Sequence, residues 1–371
     1  MSGSAGDDLD PVTMARKLER YEYLLPLISE RMIKKMESGS PPPLADSAPV
    51  PVAALPLQAP LPAPVWPTLS PDKARDRALG CLLGLAVGDA VGAAAEFKTR
   101  DSFPPLADMV GGGPFNLQPG EWTDDTTMAL CLAQSLLATG AVDQDDFMLR
   151  LRGWLEHGEN TVPGRCFDIG ITTRAAIENY IATGFAASGR MEPSSAGNGS
   201  LVRLAPVAIF AKSDHDSAEF LALKQSRATH AHPECLDACK LFIAQLLDAL
   251  AGADKDAATR QRVMSLVPKV LFISAGEWRT KTRAQISSSG YVVNTLEAAL
   301  WSVWQTGNFR DAVLTAANLG DDADSVAAVA GQLAGALYGA SSIPAEWLGK
   351  LAWRPKIEKL ANDLFDRSRS P

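Results

Sequence analysis

Residues 78–95, from Ala78 to Ala95, read ALGCLLGLAVGDAVGAAA. This is the longest apolar run in the chain, and glycine recurs in it every four residues, at Gly80, Gly84, Gly88 and Gly92. A second run repeats the spacing at Gly331, Gly335 and Gly339. Glycine inside a helix costs about 1 kcal/mol against alanine. A comb of glycines at helical spacing therefore marks a face that another backbone approaches closely. Both combs lie beside groups of acids, so the spacing predicts two helices that cross near a functional site. Tight helix packing with no site is the plainer reading, and the two are compatible. Asp89 interrupts the first run, and its flanks carry no aromatic belt, which argues against a membrane span.

Outward from that helix, residues 72–366 form one alanine-rich body in which strand signals are scarce, so the fold class expected is all-α. Residues 367–371 read as a tail. Ahead of the body, residues 1–38 carry Leu18, Tyr21, Leu25, Ile28 and Met32 at three- and four-residue steps, a helical pattern that Pro26 kinks or divides. Residues 39–71 are a linker: eleven prolines fall between Pro41 and Pro71, which excludes regular helix and suits an extended tether.

The 371 residues are 46% hydrophobic and 21% charged, as in an ordinary soluble globular protein. A net charge of −8 and an isoelectric point near 5.2 exclude a general nucleic-acid binder, which needs a basic face. The five cysteines form no CxxC pair, and the odd count suggests free thiols in a reducing compartment. The first residues are small and acidic, without the pattern of a signal peptide. The cytoplasm is the expected location.

Two acid clusters carry the chemistry. The first is Gly120-Glu121-Trp122-Thr123-Asp124-Asp125-Thr126-Thr127, and the second is Gly320-Asp321-Asp322-Ala323-Asp324-Ser325. Each runs into an alanine- and leucine-rich stretch. Helix capping explains one Thr or Asp at such a place. It does not explain adjacent carboxylates, which repel one another. Carboxylates with hydroxyls, and no His or Cys among them, suit a hard cation such as Mg²⁺ or Mn²⁺. Glu96 is a lone acid after the first glycine comb, open to reading as a helix-end acid. Asp168, between Phe167 and Ile169, reads as an N-cap or as a catalytic carboxylate.

Other segments are weaker. Ala196-Gly197-Asn198-Gly199-Ser200 is a small loop whose N–H groups could hold a phosphate, or simply a turn. Thr229-His230-Ala231-His232-Pro233 holds half of the histidines, and it reads as zinc ligands, as a polar contact to a ligand, or as a structural turn. Tyr291, after Gly290, could stack on a base or ribose, or belong to the core.

In order, these segments resemble the ADP-ribosylglycohydrolases, the family of dinitrogenase reductase-activating glycohydrolase and of the ADP-ribosylarginine and ADP-ribosylserine hydrolases. The resemblance covers roughly residues 74–350. It rests on Ala78-Leu79-Gly80, Gly88-Asp89-Ala90 and Glu96, then Trp122-Thr123-Asp124-Asp125-Thr126, Gly197-Asn198-Gly199-Ser200, Gly290-Tyr291-Val292, and Asn318 to Ser325. It implies a compact orthogonal helix bundle with a binuclear Mg²⁺ or Mn²⁺ centre. The positions matching its metal ligands are Thr123, Asp124, Asp125, Asp322, Asp324 and Ser325. Glu96 and Asp168 match the candidate catalytic acids. Asn198, Gly199, Ser200, His230, Gly290 and Tyr291 match the border of the ADP-ribose cleft. Two positions depart from the pattern: Ser325 stands where Thr is common, and Asp321 where a second Gly is common, which adds a carboxylate near the centre.

The activity the resemblance implies is hydrolysis of the N-glycosidic bond between ADP-ribose and a protein side chain. Arginine is preferred, because the segment around Asp168 looks like the arginine-directed branch. The alternative is a general regulatory hydrolase, serine-directed or acting on endogenous marks, with a disordered N-terminal tail. The family's body begins near Lys73 here. The preceding seventy or so residues resemble the arm of immunity hydrolases paired with ADP-ribosyltransferase toxins of type VI secretion systems. That likeness implies a toxin partner docked on residues 1–70, in an otherwise monomeric protein.

Overall fold

The structure, a computed structural model, describes residues 66–368. The helical arm expected over residues 1–38, most of the linker and the last three residues lie outside the described residues.

Fourteen α-helices run through the described residues: α1 (Pro71–Gly92), α2 (Asp124–Thr139), α3 (Gln144–His157), α4 (Ile171–Thr183), α5 (Ala205–Phe210), α6 (His215–Thr229), α7 (Pro233–Ala251), α8 (Lys255–Ala258), α9 (Pro268–Ala275), α10 (Val292–Trp304), α11 (Phe309–Ala317), α12 (Ala323–Tyr338), α13 (Ala345–Lys350) and α14 (Arg354–Arg367). Among those residues there is no β-ladder, only isolated bridges such as Gly197 with Tyr291. The all-α expectation holds.

Helix α1 starts as its sequence directs. Ser70 Oγ accepts the Lys73 N–H at 3.3 Å, and Pro71 takes the first position, where its missing N–H costs nothing. From Gly80 to Gly92 every residue is buried. The stretch Pro71–Ala95 is long and apolar enough to cross a membrane, with a mean hydropathy of 1.8, yet 94% of that window is buried inside the protein. A helix apolar on every side and covered on every side is a core helix.

Its partner is α12. A Cβ added at Gly80 would sit 2.3 Å from the carbonyl oxygen of Gly335, at Gly84 2.2 Å from that of Gly331, at Gly88 2.0 Å from that of Ala327, and at Gly92 2.4 Å from that of Ala323. As one number climbs by four, the other falls by four. The helices are antiparallel and touch backbone to backbone over three turns, a separation that only glycine permits and that favours Cα–H···O contacts. The end of α1 therefore meets the start of α12, and both glycine combs serve this one contact. Helices α10 and α11 pack along α12, α14 packs along α1, and α2 joins α5 and α14.

Candidate active site

At the meeting point, α1 tightens through the turn Ala93–Ala95 and ends on Glu96, while α12 opens with Asp322, Asp324 and Ser325. Helix α2 arrives beside them. Trp122 is fully buried, edge-on to Trp353 at 5.4 Å, with its Nε1 donating to the Ala352 carbonyl at 3.2 Å. That anchor fixes the next residues, Thr123, Asp124 and Asp125, all of them buried.

The N-cap of α2 is supplied from another helix. Thr123 occupies the cap position, but its side chain makes no capping bond. Instead the Asp89 carboxylate, buried on α1, accepts the Thr123 N–H at 2.9 Å, the Thr126 N–H at 3.0 Å and the Thr126 hydroxyl at 2.6 Å. Capping by Asp89 leaves Asp124 and Asp125 free of that duty. Thr123 Oγ1 in turn donates to Asp324 Oδ2 at 3.3 Å, which links α2 to α12.

Asp168 joins from the loop before α4. Its φ of +58° is left-handed, a conformation that Asp tolerates better than most residues. The N-cap of α4 is Gly170, so Asp168 is not the cap. Phe167 packs with Ala93 and Leu117 and lies edge-on to Phe115 at 5.2 Å, which pins the loop against the end of α1. Asp168 and Glu96 are thereby brought close together, and each adds negative charge to the other's surroundings. One oxygen each from Glu96, Asp168 and Asp324 lies within 4.8 Å of the others.

Seven carboxylates thus share one end of the α1–α12 pair: Asp89, Glu96, Asp124, Asp125, Asp168, Asp322 and Asp324. Burial pushes Glu96 up to about 10 and Asp168 up to about 11, and the Asp324 charge adds to both. Asp322 is raised to about 8 and Asp89 to about 7, again by burial first and Asp324 second. Asp124 and Asp125 are held well above the carboxylate range, through burial and the surrounding acids. Glu96 Oε2, Asp125 Oδ2, Asp168 Oδ2 and Asp324 Oδ1 are buried without a hydrogen-bond donor. Buried acceptors are normally paired, and buried charges are normally compensated. Orphaned oxygens on four segments, with Glu96, Asp168 and Asp324 drawn together, fit a hard cation, and the all-oxygen donor set excludes a preference for a soft one.

The predicted ligand set is brought together. Asp322 makes no capping bond to α12, and Ser325 is buried on the first turn of the same helix. Asp321 corrects the expectation placed on it: the side chain is exposed and accepts from Ser288 Oγ at 3.3 Å, outside the buried set. The position instead demands a left-handed backbone, with φ +56°. Its carbonyl accepts the Phe97 N–H at 2.7 Å and its N–H donates to the Lys98 carbonyl at 2.8 Å, which clamps the segment after Glu96 to the start of α12.

The expected cleft residues lie along one wall. Asn198 Nδ2 donates to Asp322 Oδ2 at 2.6 Å, and its N–H donates to the Gly290 carbonyl at 3.1 Å. The Gly197–Tyr291 bridge continues that seam, and Tyr291 OH donates to Glu234 Oε2 at 2.6 Å. Ser200 is fully buried, with its Oγ 2.8 Å from Ser226 Oγ, so towards a ligand it offers its backbone. His230 and His232 separate: His232 caps α7 through Nδ1, a structural role, whereas His230 lies against the Gly197–Gly199 loop. Sequence reading assigned no role to Asp89. The available signal was a single acid inside an otherwise apolar helix.

Comparison with known proteins gives a consistent picture. The family model described as ADP-ribosylglycohydrolase matches residues 70–371. The chain is 54% identical over 273 residues to "ADP-ribosylarginine hydrolase Tri1" of Pseudomonas putida (strain GB-1), covering 74% of this chain and 73% of that one. It is 52% identical over 271 residues to the protein of the same name from Serratia proteamaculans (strain 568), covering 73% and 74%. A solved structure, "ADP-ribosylglycohydrolase-related protein complex", aligns with a TM-score of 0.72 at 41% identity, over 80% of this chain and 99% of that one.

Proposed function

Because the chain belongs to the ADP-ribosylglycohydrolase family, we propose that it is a metal-dependent ADP-ribosylarginine hydrolase, splitting the bond between C1 of the distal ribose and the arginine guanidine nitrogen. The observation that carries the reading is the set of buried, donor-less carboxylate oxygens of Glu96, Asp125, Asp168 and Asp324. The arginine linkage is supported by the names of the relatives at 54% and 52% identity.

Thr123, Asp124, Asp125, Asp322, Asp324 and Ser325 would hold two Mg²⁺ or Mn²⁺ ions. When bound, such a pair would supply Lewis-acid activation of water near neutral pH. The chain's own residues do the rest. Glu96 and Asp168 are close together and burial raises the proton affinity of both, so they can take a proton from the attacking water and return one to the departing guanidine nitrogen. Net, water adds its hydroxyl to C1 and its proton to nitrogen. Asn198 fixes Asp322 and so ties the ligand loop to the cation set. Asn198, Gly199, Ser200, His230, Gly290 and Tyr291 line the ADP-ribose side.

The proposal extends to biology. Residues 1–70 dock on a cognate ADP-ribosyltransferase toxin, and the protein acts in the cytoplasm as a monomeric immunity factor. The helical spacing in residues 1–38 and the proline-rich tether support this reading.

The test is release of ADP-ribose from an arginine-ADP-ribosylated protein, with Mg²⁺ and with EDTA, beside a serine-linked control. Metal-dependent release from arginine alone is expected. Release from serine alone would move the assignment to the other branch, and release unaffected by EDTA would remove the cations from it. Deleting residues 1–65 should abolish toxin capture while sparing hydrolysis.

A further inference from the structure

Arg203 is fully buried, and no carboxylate forms an ion pair with it among the described residues. Its guanidinium packs over the Phe147 ring at 4.9 Å. Nε donates to Gln225 Oε1 at 2.8 Å, and Nη2 donates to the Gln225 carbonyl at 3.0 Å and to Thr229 Oγ1 at 2.8 Å. Thr229 Oγ1 lies 2.8 Å from His230 Nδ1. A chain of polar atoms therefore runs from a buried cation to a histidine on the ligand wall.

The direction of that chain is fixed from one end. Arginine is donor only and stays charged in proteins. Thr229 Oγ1 accepts from it, and the hydroxyl hydrogen then has one acceptor among the described residues, His230 Nδ1. Were Nδ1 protonated, two donors would point at one oxygen and the hydroxyl hydrogen would have no acceptor, which is costly in a buried site. The hydrogen of the neutral ring must then sit on Nε2. Burial, with Arg203 nearby, drives His230 down to about 3, so the ring is neutral.

Nε2 makes no hydrogen bond within the described residues, and it faces the glycine loop. A Cβ at Gly199 would lie 2.8 Å from His230 Cε1 and 3.2 Å from Nε2, and one at Gly197 would lie 3.4 Å from Nε2. The ring is also held by its own backbone: its carbonyl accepts Ser226 Oγ at 2.7 Å and its N–H donates to the Ser226 carbonyl at 2.6 Å.

We propose that Arg203 and Thr229 are positioning residues that lock His230 in the Nε2–H tautomer, so that it presents a fixed donor to an acceptor oxygen of ADP-ribose at the Gly197–Gly199 loop. The purpose of the lock rests on the substrate reading above, whereas the lock itself can be measured without substrate. A donor that needs no change of charge or tautomer on binding costs no reorganisation.

The experiment is imidazole ¹⁵N spectroscopy of the full chain, which has four histidines, with His230→Gln identifying the resonances of interest. The wild type is expected to show a single Nε2–H tautomer at neutral pH. Thr229→Val keeps the shape and removes the hydroxyl. It should yield mixed tautomers and weaken ADP-ribose binding about fivefold, the loss of one neutral hydrogen bond. Thr229→Ser should restore both. An Nδ1–H tautomer in the wild type, or a tautomer unmoved by Thr229→Val, overturns the inference. Because Arg203→Gln risks misfolding in the core, the threonine pair carries the test. A locked tautomer whose Nε2–H ignores added ADP-ribose upholds the relay and overturns the substrate assignment instead.

Discussion

Two regions of this molecule bury aspartate, and they solve the problem in opposite ways. Asp248, on α7, is 1% exposed. Its carboxylate accepts from Arg260, from Arg262 at 2.5 Å, and from Trp66 Nε1 at 3.2 Å. The compensating charge is part of the chain. At the α1–α12 junction, Asp89, Asp124, Asp125 and Asp324 are buried with Glu96, and four of the oxygens there have no donor. The compensating charge has been left out. A buried acid supplied with guanidiniums is a structural device. A buried set without them is arranged for a cation that binds later, and the fold carries the electrostatic strain until it does.

The most drastic way to break the comparison is to remove one acid from each region. Asp124→Asn should lower hydrolysis by about 10³-fold or more, in line with losing a participant in the chemistry. The same change should raise the melting temperature of the cation-free protein, because it removes a buried acid whose ionisation the fold opposes. Asp248→Ala should do the reverse in kind, lowering folding stability by about 3 kcal/mol in a urea titration, since it strands two guanidiniums, one of them buried. Should Asp124→Asn destabilise the cation-free chain as Asp248→Ala does, the contrast between the regions is lost.

Asn198→Ala sharpens the account at one contact. It frees Asp322 from its 2.6 Å donor and should reduce activity or cation affinity about 10–100-fold. Asn198→Asp should do worse, by adding a further carboxylate. The smallest effect is in pH. The folded, cation-free chain keeps protons on Glu96, Asp168 and Asp322 where the unfolded chain, with ordinary carboxylates near ~4, has released them. It therefore binds more protons across that window, and its stability should fall as pH rises from about 4 toward 8. Mg²⁺ should offset the fall, so the gain in melting temperature on adding Mg²⁺ grows with pH, by a few degrees at the alkaline end. A gain that shrinks with pH would place the cation elsewhere.

Much of this was legible in the sequence, for reasons that are local. The glycine combs predicted a close helix pair, and the carbonyl of Gly331 does sit where a Cβ of Gly84 would be. Adjacent carboxylates in Asp124-Asp125 and in Asp322-Ala323-Asp324 carried their own repulsion, which capping could not excuse. What stayed hidden depends on distance along the chain. Asp89 read as an interruption of an apolar run, because its partners, the N–H groups of Thr123 and Thr126, lie 34 and 37 positions away. The difference between His230 and His232, two residues apart, is made by Arg203 and by the start of α7, neither of which a motif encodes. The positive φ at Asp168 and Asp321 likewise follows from clamps to other segments.

The most direct test is calorimetric titration of the cation-free full chain with Mg²⁺ and with Mn²⁺, in two buffers of different ionisation enthalpy. The account predicts saturable binding with net proton release, because burial raises Asp124, Asp125 and Asp322, the acids that would hold the cations, and a cation displaces their protons. It also predicts that Asp124→Asn weakens binding while Asp248→Asn does not. Binding without proton release, or equal losses in the two variants, would contradict it.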